Sequence, residues 1–291
     1  ENIHHADLWG LRQKKYDYLV KHDIQSTNWE QIEPKSEFYL FVPRDEAALE
    51  TFMNFPLVNE IFPLNGVGMT TARDGFVIDM DRRCLVNRVR LFKHSKLSDE
   101  ELHTFFQIRK KKGWDVRRAW RMLQDVDDSA LEWLATPVLY RPFDVRWIFY
   151  HDSLVWRTVK RVMRHMLAGS NVGLIVPKQH KGDFGAFAAS TIGTHKTVTV
   201  FDINYYFPLY LYPQAENNDL LDHLAEGAER APNLNTHALA ALKDAYGREP
   251  SPEEIFHYVY AVLYAPAYRE KYAEFLKIDF PRIPFLSLIH I

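Results

Sequence analysis

Between Tyr140 and Met166 the chain reads YRPFDVRWIFYHDSLVWRTVKRVMRHM, and its cations stand at spacings that could grip a polyanion. Arg157, Lys160, Arg161 and Arg164 fall at i, i+3, i+4 and i+7, which predicts one cationic stripe along a helix over 157–168. Val159, Val162, Met163 and Met166 share another face and form its expected buried side. A polar face made only of cations cannot be satisfied by its own i, i+4 pairs. It requires carboxylates from elsewhere in the chain, such as its acidic last third, or phosphates from a partner. Upstream, Arg141 and Asp144 flank Pro142. A guanidinium–carboxylate fork could lock that corner, or Arg141 could face a ligand. Arg146 alternates with Val145 and Trp147 and so stands on the opposite sheet face from them. Lys178, His180 and Lys181 lie on a loop with two glycines, PKQHKGDFGAF, and Arg73 lies at a turn in TTARDG. Donors of these types on loops can reach phosphate oxygens and base edges of a nucleic acid.

The elements that must position these groups are short and mixed. Residues 10–22 read as a helix, EFYLFVPR (37–44) as an aromatic strand, and DEAALETFMNF as helical. NGVGMTTARDGFVIDM (65–80) reads as two strands around a turn at Asp74–Gly75. Ser98 and Glu101 form a capping box that starts a helix through SDEELHTFFQIRKKK, with cations at its C-terminal end. Residues 114–134 continue helical. TPVLYR, DVRWIFYH, VGLIVPKQ, TVTVFDI and FPLYLYP are β-branched and aromatic strand candidates. Ser251, Pro252 and Glu254 then cap a helix that Pro266 breaks. Runs of strands followed by runs of helices indicate an α+β fold. The expected division is a mixed segment 1–135, a β-rich core 136–213 and a helical part 214–291. No internal repeat or low-complexity linker is present.

The net charge of −2 hides an asymmetry. Residues 1–100 carry −3, residues 101–200 carry +7 and residues 201–291 carry −6. The basic middle either attracts a polyanion or is neutralised by the acidic ends within the fold. No apolar run approaches the ~20 residues that cross a bilayer, so no membrane partner is expected. One cysteine, Cys84, excludes an intrachain disulfide and any multi-cysteine zinc site, and a reducing, cytoplasmic setting is expected. Cys84 reads as a small buried residue, although neighbouring arginines could lower its thiol pKa. The 13 histidines are scattered, and His4 and His5 point to opposite faces of a strand. GVGMTTARDG lacks the third glycine of a dinucleotide loop, and no Gly-Lys-Ser/Thr phosphate loop, zinc-protease helix or nucleophile elbow occurs. Asp79 and Asp81 sit beside arginines and read as solvated. No catalytic residue, metal ligand or cofactor loop is expected in this segment. The opening without Met and the apolar close, PFLSLIHI, read as the ends of a piece of a longer polypeptide, the last residues as a foreign scar.

ADLWGLRQKKYDYL, FYLFVPRD, GMTTARD, YRPFDVRWIFYH, FPLYLYP and YVYAVLYAPAYREKYAEFLKIDFPRIPF follow one another in an order that resembles the C-terminal specificity region of Type ISP restriction-modification enzymes and related adenine-specific DNA methyltransferases. The resemblance spans nearly the whole chain. It implies recognition of a double-stranded DNA target, with catalysis and an S-adenosylmethionine site in an upstream methyltransferase domain of the same polypeptide. Arg141, Pro142, Phe143, Asp144 and Arg146 match the family's motif. A methyltransferase that flips its base needs another surface to hold the duplex. Arg157, Lys160, Arg161 and Arg164 are the expected phosphate contacts. Lys178, His180, Lys181, Arg73 and Arg146 are the expected groove or base contacts, and Arg141 is counted among the DNA-binding residues without a role assigned between reading DNA and holding the fold. Two alternatives stay open: a module that docks on an acidic protein domain, and a stand-alone DNA hydrolase.

Overall fold

The computed structural model describes residues 2–34, 38–43, 45, 47–213 and 230–285. The chain divides into two compact units, residues 1–48 and 49–291. In the first, β1 (Ile3–His5) pairs antiparallel with β2 (Glu30–Ile32) across α1 (Arg12–Lys21). The described part of the expected strand at 37–44, residues 38–43, is turn and bend. Tyr39 has φ +46° and stands exposed, as does Phe41. Aromatic content favours a strand only where a neighbouring strand and a buried face exist.

The second unit begins with α2 (Leu49–Met53), α3 (Val58–Ile61), β3 (Gly66–Val67), α4 (Asp74–Val77) and β4 (Ile78–Asp79). Four helices follow: α5 (Arg82–His94), α6 (Asp99–Phe105), α7 (Val116–Gln124) and α8 (Ala130–Leu134). The centre holds β5 (Ala135–Arg141), β6 (Asp144–Phe149), α9 (Lys160–Leu167), β7 (Gly173–Pro177), β8 (Phe187–Ala189), β9 (Ile192–Gly193), β10 (Asn204–Pro208) and β11 (Tyr210–Leu211). After β12 (Ala231–Pro232) come α10 (Thr236–Tyr246), α11 (Pro252–Tyr264), α12 (Pro266–Lys271) and α13 (Ala273–Leu276). The fold is α+β. The close of the chain, SLIHI, lies outside the described residues.

Two four-stranded sheets carry this unit, in the orders β3-β10-β7-β8 and β4-β6-β5-β9. Strand β7 is an unbroken apolar run and is buried throughout, as a strand covered on both faces must be. The sheets meet where Met69 bridges Thr194. Two glycines permit that approach: a Cβ on Gly68 would lie 2.3 Å from the Thr194 carbonyl oxygen, and one on Gly193 would lie 1.4 Å from Tyr206 Oη. Helices α5 and α8 cover the second sheet and α7 packs on α5, joining Leu85, Val89, Phe92, Leu123 and Leu131 in one core. Phe76, Phe92 and Phe106 pack edge-on, with centroids 5.1–5.6 Å apart. Ser98 and Ser251 cap α6 and α11 with full capping boxes, as their spacing predicts.

Several local expectations are corrected. The expected strand at 197–203 is irregular, because its threonines bond locally. Thr199 Oγ1 donates to Asp202 and accepts from the Phe201 and Asp202 amides, an alternative to a sheet ladder. Asp74–Gly75 opens the helical turn α4, not a hairpin, and β3 and β4 join different sheets. Helix α6 ends at Phe105, so Arg109 to Lys112 lie on the following loop and do not cap it. Helix α9 starts at Lys160, so Arg157 precedes it and bridges Thr70 instead. Pairing of β4 with β6 and of β3 with β10 crosses the compositional boundary drawn at 136.

Candidate functional site

Five loops of the second unit are tied into one face. The segment between β3 and α4 is the hub. Thr70 exchanges backbone hydrogen bonds with Arg157 (3.0 and 2.9 Å), and the Trp156 amide donates to Thr71 O. The His195 amide donates to Met69 O at 2.9 Å, and His195 Nδ1 lies 3.3 Å from Thr70 Oγ1. Asp74 accepts from the Thr71 hydroxyl and, at 2.8 Å, from Tyr140 Oη, which ties in the β5–β6 hairpin. The loop between α6 and α7 joins through Trp114, whose Nε1 donates to Ser153 O at 2.8 Å.

Arg73 is the pin of this assembly. Its guanidinium lies 3.7 Å from the Trp114 ring centroid and 5.9 Å from that of Trp156. Nη1 donates to Leu154 O (2.6 Å) and Thr71 O (3.2 Å). The residue is only 5% exposed, and burial pulls its pKa down to about 10, so it stays charged at neutral pH. A desolvated cation–π stack is worth about 2 kcal/mol. Arg73 was expected at a groove; burial instead places it beneath the surface, where it joins three loops.

The other expected contacts divide. Helix α9 buries Val162, Met163 and Met166, as its periodicity predicts. Its cations find internal partners. Lys160 pairs with Asp152, Arg161 Nη2 donates to Asn65 O at 2.7 Å, and Arg164 Nη1 donates to Tyr212 O at 3.1 Å. Burial raises the Asp152 carboxyl pKa, but Lys160 and Thr158 outweigh it and the net shift is downward. Lys178 pairs with Asp279 at 3.5 Å, an acid from the last third. His180 is buried and bonded to Gly182 O at 2.7 Å. The fork on Asp144 comes from Arg146, not Arg141, through Nε and Nη2 at 2.8–3.0 Å. Its hydrogen bonds hold the Asp144 carboxyl below the usual carboxylate range. Arg141 and Arg146 each lie 4.2 Å from the Tyr140 ring centroid. Cys84 is exposed on the polar side of α5, and Asp81 pushes its thiol up, against both sequence expectations. Asp79 is held by Arg88, and Asp81 caps α5.

Arg157 and Lys181 are exposed, and their side chains have no hydrogen bond or ion pair among the described residues. The same is true of Arg109, Lys112 and the half-buried Lys196, while Lys111 Nζ lies 4.6 Å from the Trp156 ring centroid. These loop cations outside the expected set are the functional candidates that helical periodicity concealed. Their signal was the run Arg109-Lys110-Lys111-Lys112-Gly113-Trp114, in which glycine marks a loop. Gly113 has φ +86°. Trp114, Arg118, Trp156 and Arg157 line a cleft of about 590 Å³ on this face. Ala72, Gln107 and Arg109 line another, of about 1070 Å³. Ala72 and Gln107 have φ +59° and +51°. Such left-handed residues cost about 1–3 kcal/mol each and concentrate at functional surfaces. Among the described residues, no group of three or more His, Cys, Asp or Glu side chains could hold a metal ion.

The Type ISP C-terminal specificity domain matches residues 60–288. The chain belongs to that family. Solved structures agree with a Type ISP specificity fold. A DrdV–DNA complex superposes with a TM-score of 0.69 at 25% identity, covering 95% of this chain and 28% of that one. A nuclease-deletion mutant of the Type ISP restriction-modification enzyme LlaGI, in complex with a DNA substrate mimic, gives 0.65 at 20% identity, covering 97% and 22%. The ATP-dependent Type ISP restriction-modification enzyme LlaBIII bound to DNA gives 0.60 at 15%, covering 88% and 17%. The chain therefore spans less than a third of each. No curated protein matches it.

Proposed function

We propose that this Type ISP specificity domain recognises a double-stranded DNA target for a restriction-modification enzyme. The adenine-N6 methyltransferase domain and its S-adenosylmethionine site lie in another part of that polypeptide. The observation that carries the reading is the set of tethered loops presenting Arg109, Lys111, Lys112, Arg157 and Lys196, with no carboxylate bonded to any of them among the described residues. Cations without ion-pair partners on preorganised loops suit phosphates, which fix register while neighbouring side chains read bases. The DNA complexes of DrdV, LlaGI and LlaBIII support the choice of partner. Buried Arg73 supports it indirectly, because contacts that cross three loops hold the surface in one shape before binding.

Binding to a pool of random duplexes, followed by selection, tests the reading. With about five phosphate contacts, affinity falls roughly five-hundredfold between 50 and 200 mM salt, and selection converges on one short sequence. Salt-insensitive binding, or a pool that never converges, contradicts it. Preference for an acidic protein domain over duplex at equal ionic strength would replace DNA with a protein partner.

A further inference from the structure

The tip of the β5–β6 hairpin is built against local preference. Its turn is Arg141-Pro142-Phe143-Asp144, with Arg141 and Asp144 paired across it. Proline fixes its own φ near −65°, which excludes the primed turns that two-residue hairpin loops favour. Type I and type II turns both accept that proline, and only type II puts the next residue in the left-handed region, a position that glycine or asparagine normally fills. Phe143 occupies it, with φ +60°. A bulky aromatic residue in that region is an outlier. Burial does not explain it, because Phe143 is 91% exposed. Among the described residues its ring makes one aromatic contact, edge-on to Phe187 at 5.5 Å.

The pedestal beneath the ring is stiff. The register shifts between Leu139 and Arg141, a bulge that sharpens the twist at the tip. Arg146 forks onto Asp144 from the strand below. Tyr140, bonded to Asp74, carries Arg141 and Arg146 against its ring. An exposed apolar ring thus stands at a braced hairpin tip whose flanking strands carry Arg141 and Arg146. Backbone strain without burial marks a residue whose use lies outside its own chain.

We propose, resting on the DNA reading above, that Phe143 is a specificity-determining residue that packs its ring against bases of the target duplex. The adjacent Arg141 takes a phosphate. Apolar side chains that enter a groove or wedge a base step discriminate by how readily that step unstacks. The contact is uncharged, so it contributes to preference for one sequence and nothing to the salt dependence.

The test uses a duplex selected by the wild-type chain and a scrambled duplex of equal length, with Phe143→Gly and Phe143→Trp variants. For Phe143→Gly, affinity for the selected duplex falls about tenfold or more. Affinity for the scrambled duplex changes by less than about twofold, and the slope of log K against log salt is unchanged. Tm stays at or above wild type, because glycine relieves the left-handed strain. Phe143→Trp retains the preference. Equal binding of both duplexes by wild type and Phe143→Gly, or a lowered Tm that accounts for the loss, overturns this inference and leaves the DNA reading intact. A wild-type chain that binds neither duplex overturns both.

Discussion

Helix α9 and the loop face both carry cations but treat them differently. On α9, Lys160 meets a carboxylate, and Arg161 and Arg164 meet backbone carbonyls. On the loops, Arg109, Lys112, Arg157 and Lys196 have no such partner among the described residues. The difference comes from what the backbone places beside each group. A helix packed through Val162, Met163 and Met166 brings its polar flank against neighbouring segments, and those supply acceptors. Loops lifted from the sheets by tryptophan and arginine props face solvent. The α9 stripe thus carries internal hydrogen bonds, whereas in the loop run Lys110 pairs with Glu100 and Arg109, Lys111 and Lys112 form no ion pair among the described residues.

Arg73 sharpens that contrast most. Replacing Arg73 with Ala removes the Trp114 stack and the hydrogen bond to the Leu154 carbonyl, while Thr71 O keeps the Trp156 amide. The expected loss is about 3 kcal/mol, read as a shift of the urea midpoint with little change in m. A neutral result would show that the loops are held by other contacts. Next, the joint change R109A/K111A/K112A should weaken duplex binding at low salt by about tenfold to a hundredfold. It should leave Tm within a few degrees, since none of the three makes an ion pair among the described residues. If Tm falls instead, the loop cations are braces too.

Smaller effects test the hairpin and the helix. Asp144→Asn breaks the Arg146 fork and should cost about 1 kcal/mol near neutral pH. The folded Asp144 pKa is depressed, so its stabilisation is present above the unfolded value near 3.9 and is lost as pH falls through the folded value. The gap between wild type and variant in pH-dependent urea melts should therefore close in acid and stay open from pH 5 to 8. A gap that persists below both pKa values would place the interaction elsewhere. Lys160→Met removes a half-exposed pair with Asp152 and should change stability by no more than about 0.5 kcal/mol.

Legibility in the sequence followed the range of the interactions. Capping boxes at Ser98 and Ser251 and the apolar side of α9 depend on residues within one or two turns, and these could be read directly. The α+β class followed from the order of such elements. The strand expected at 197–203 failed because threonine hydroxyls offered the backbone a local alternative. Partner choice was not legible. Nothing near Arg73 in sequence announces Trp114, and nothing near Lys178 announces Asp279. Spacing reveals that charges share a face, but a fold decides whether a carboxylate reaches them. Turn chemistry was not legible at Phe143, because Pro142 fits both type I and type II turns and only the fold shows the left-handed φ of the residue after it.

The central claim is that the loop cations, more than the α9 cations, meet DNA phosphates. The direct measurement is the slope of log K against log salt for a selected duplex, compared between R109A/K111A/K112A and K160A/R161A/R164A. The loop variant should flatten the slope by about 2–3, close to 0.9 per lost contact, and the helix variant by less than about 1 while losing more stability. A helix variant that flattens the slope as much as the loop variant, with an unchanged urea midpoint, would contradict the account.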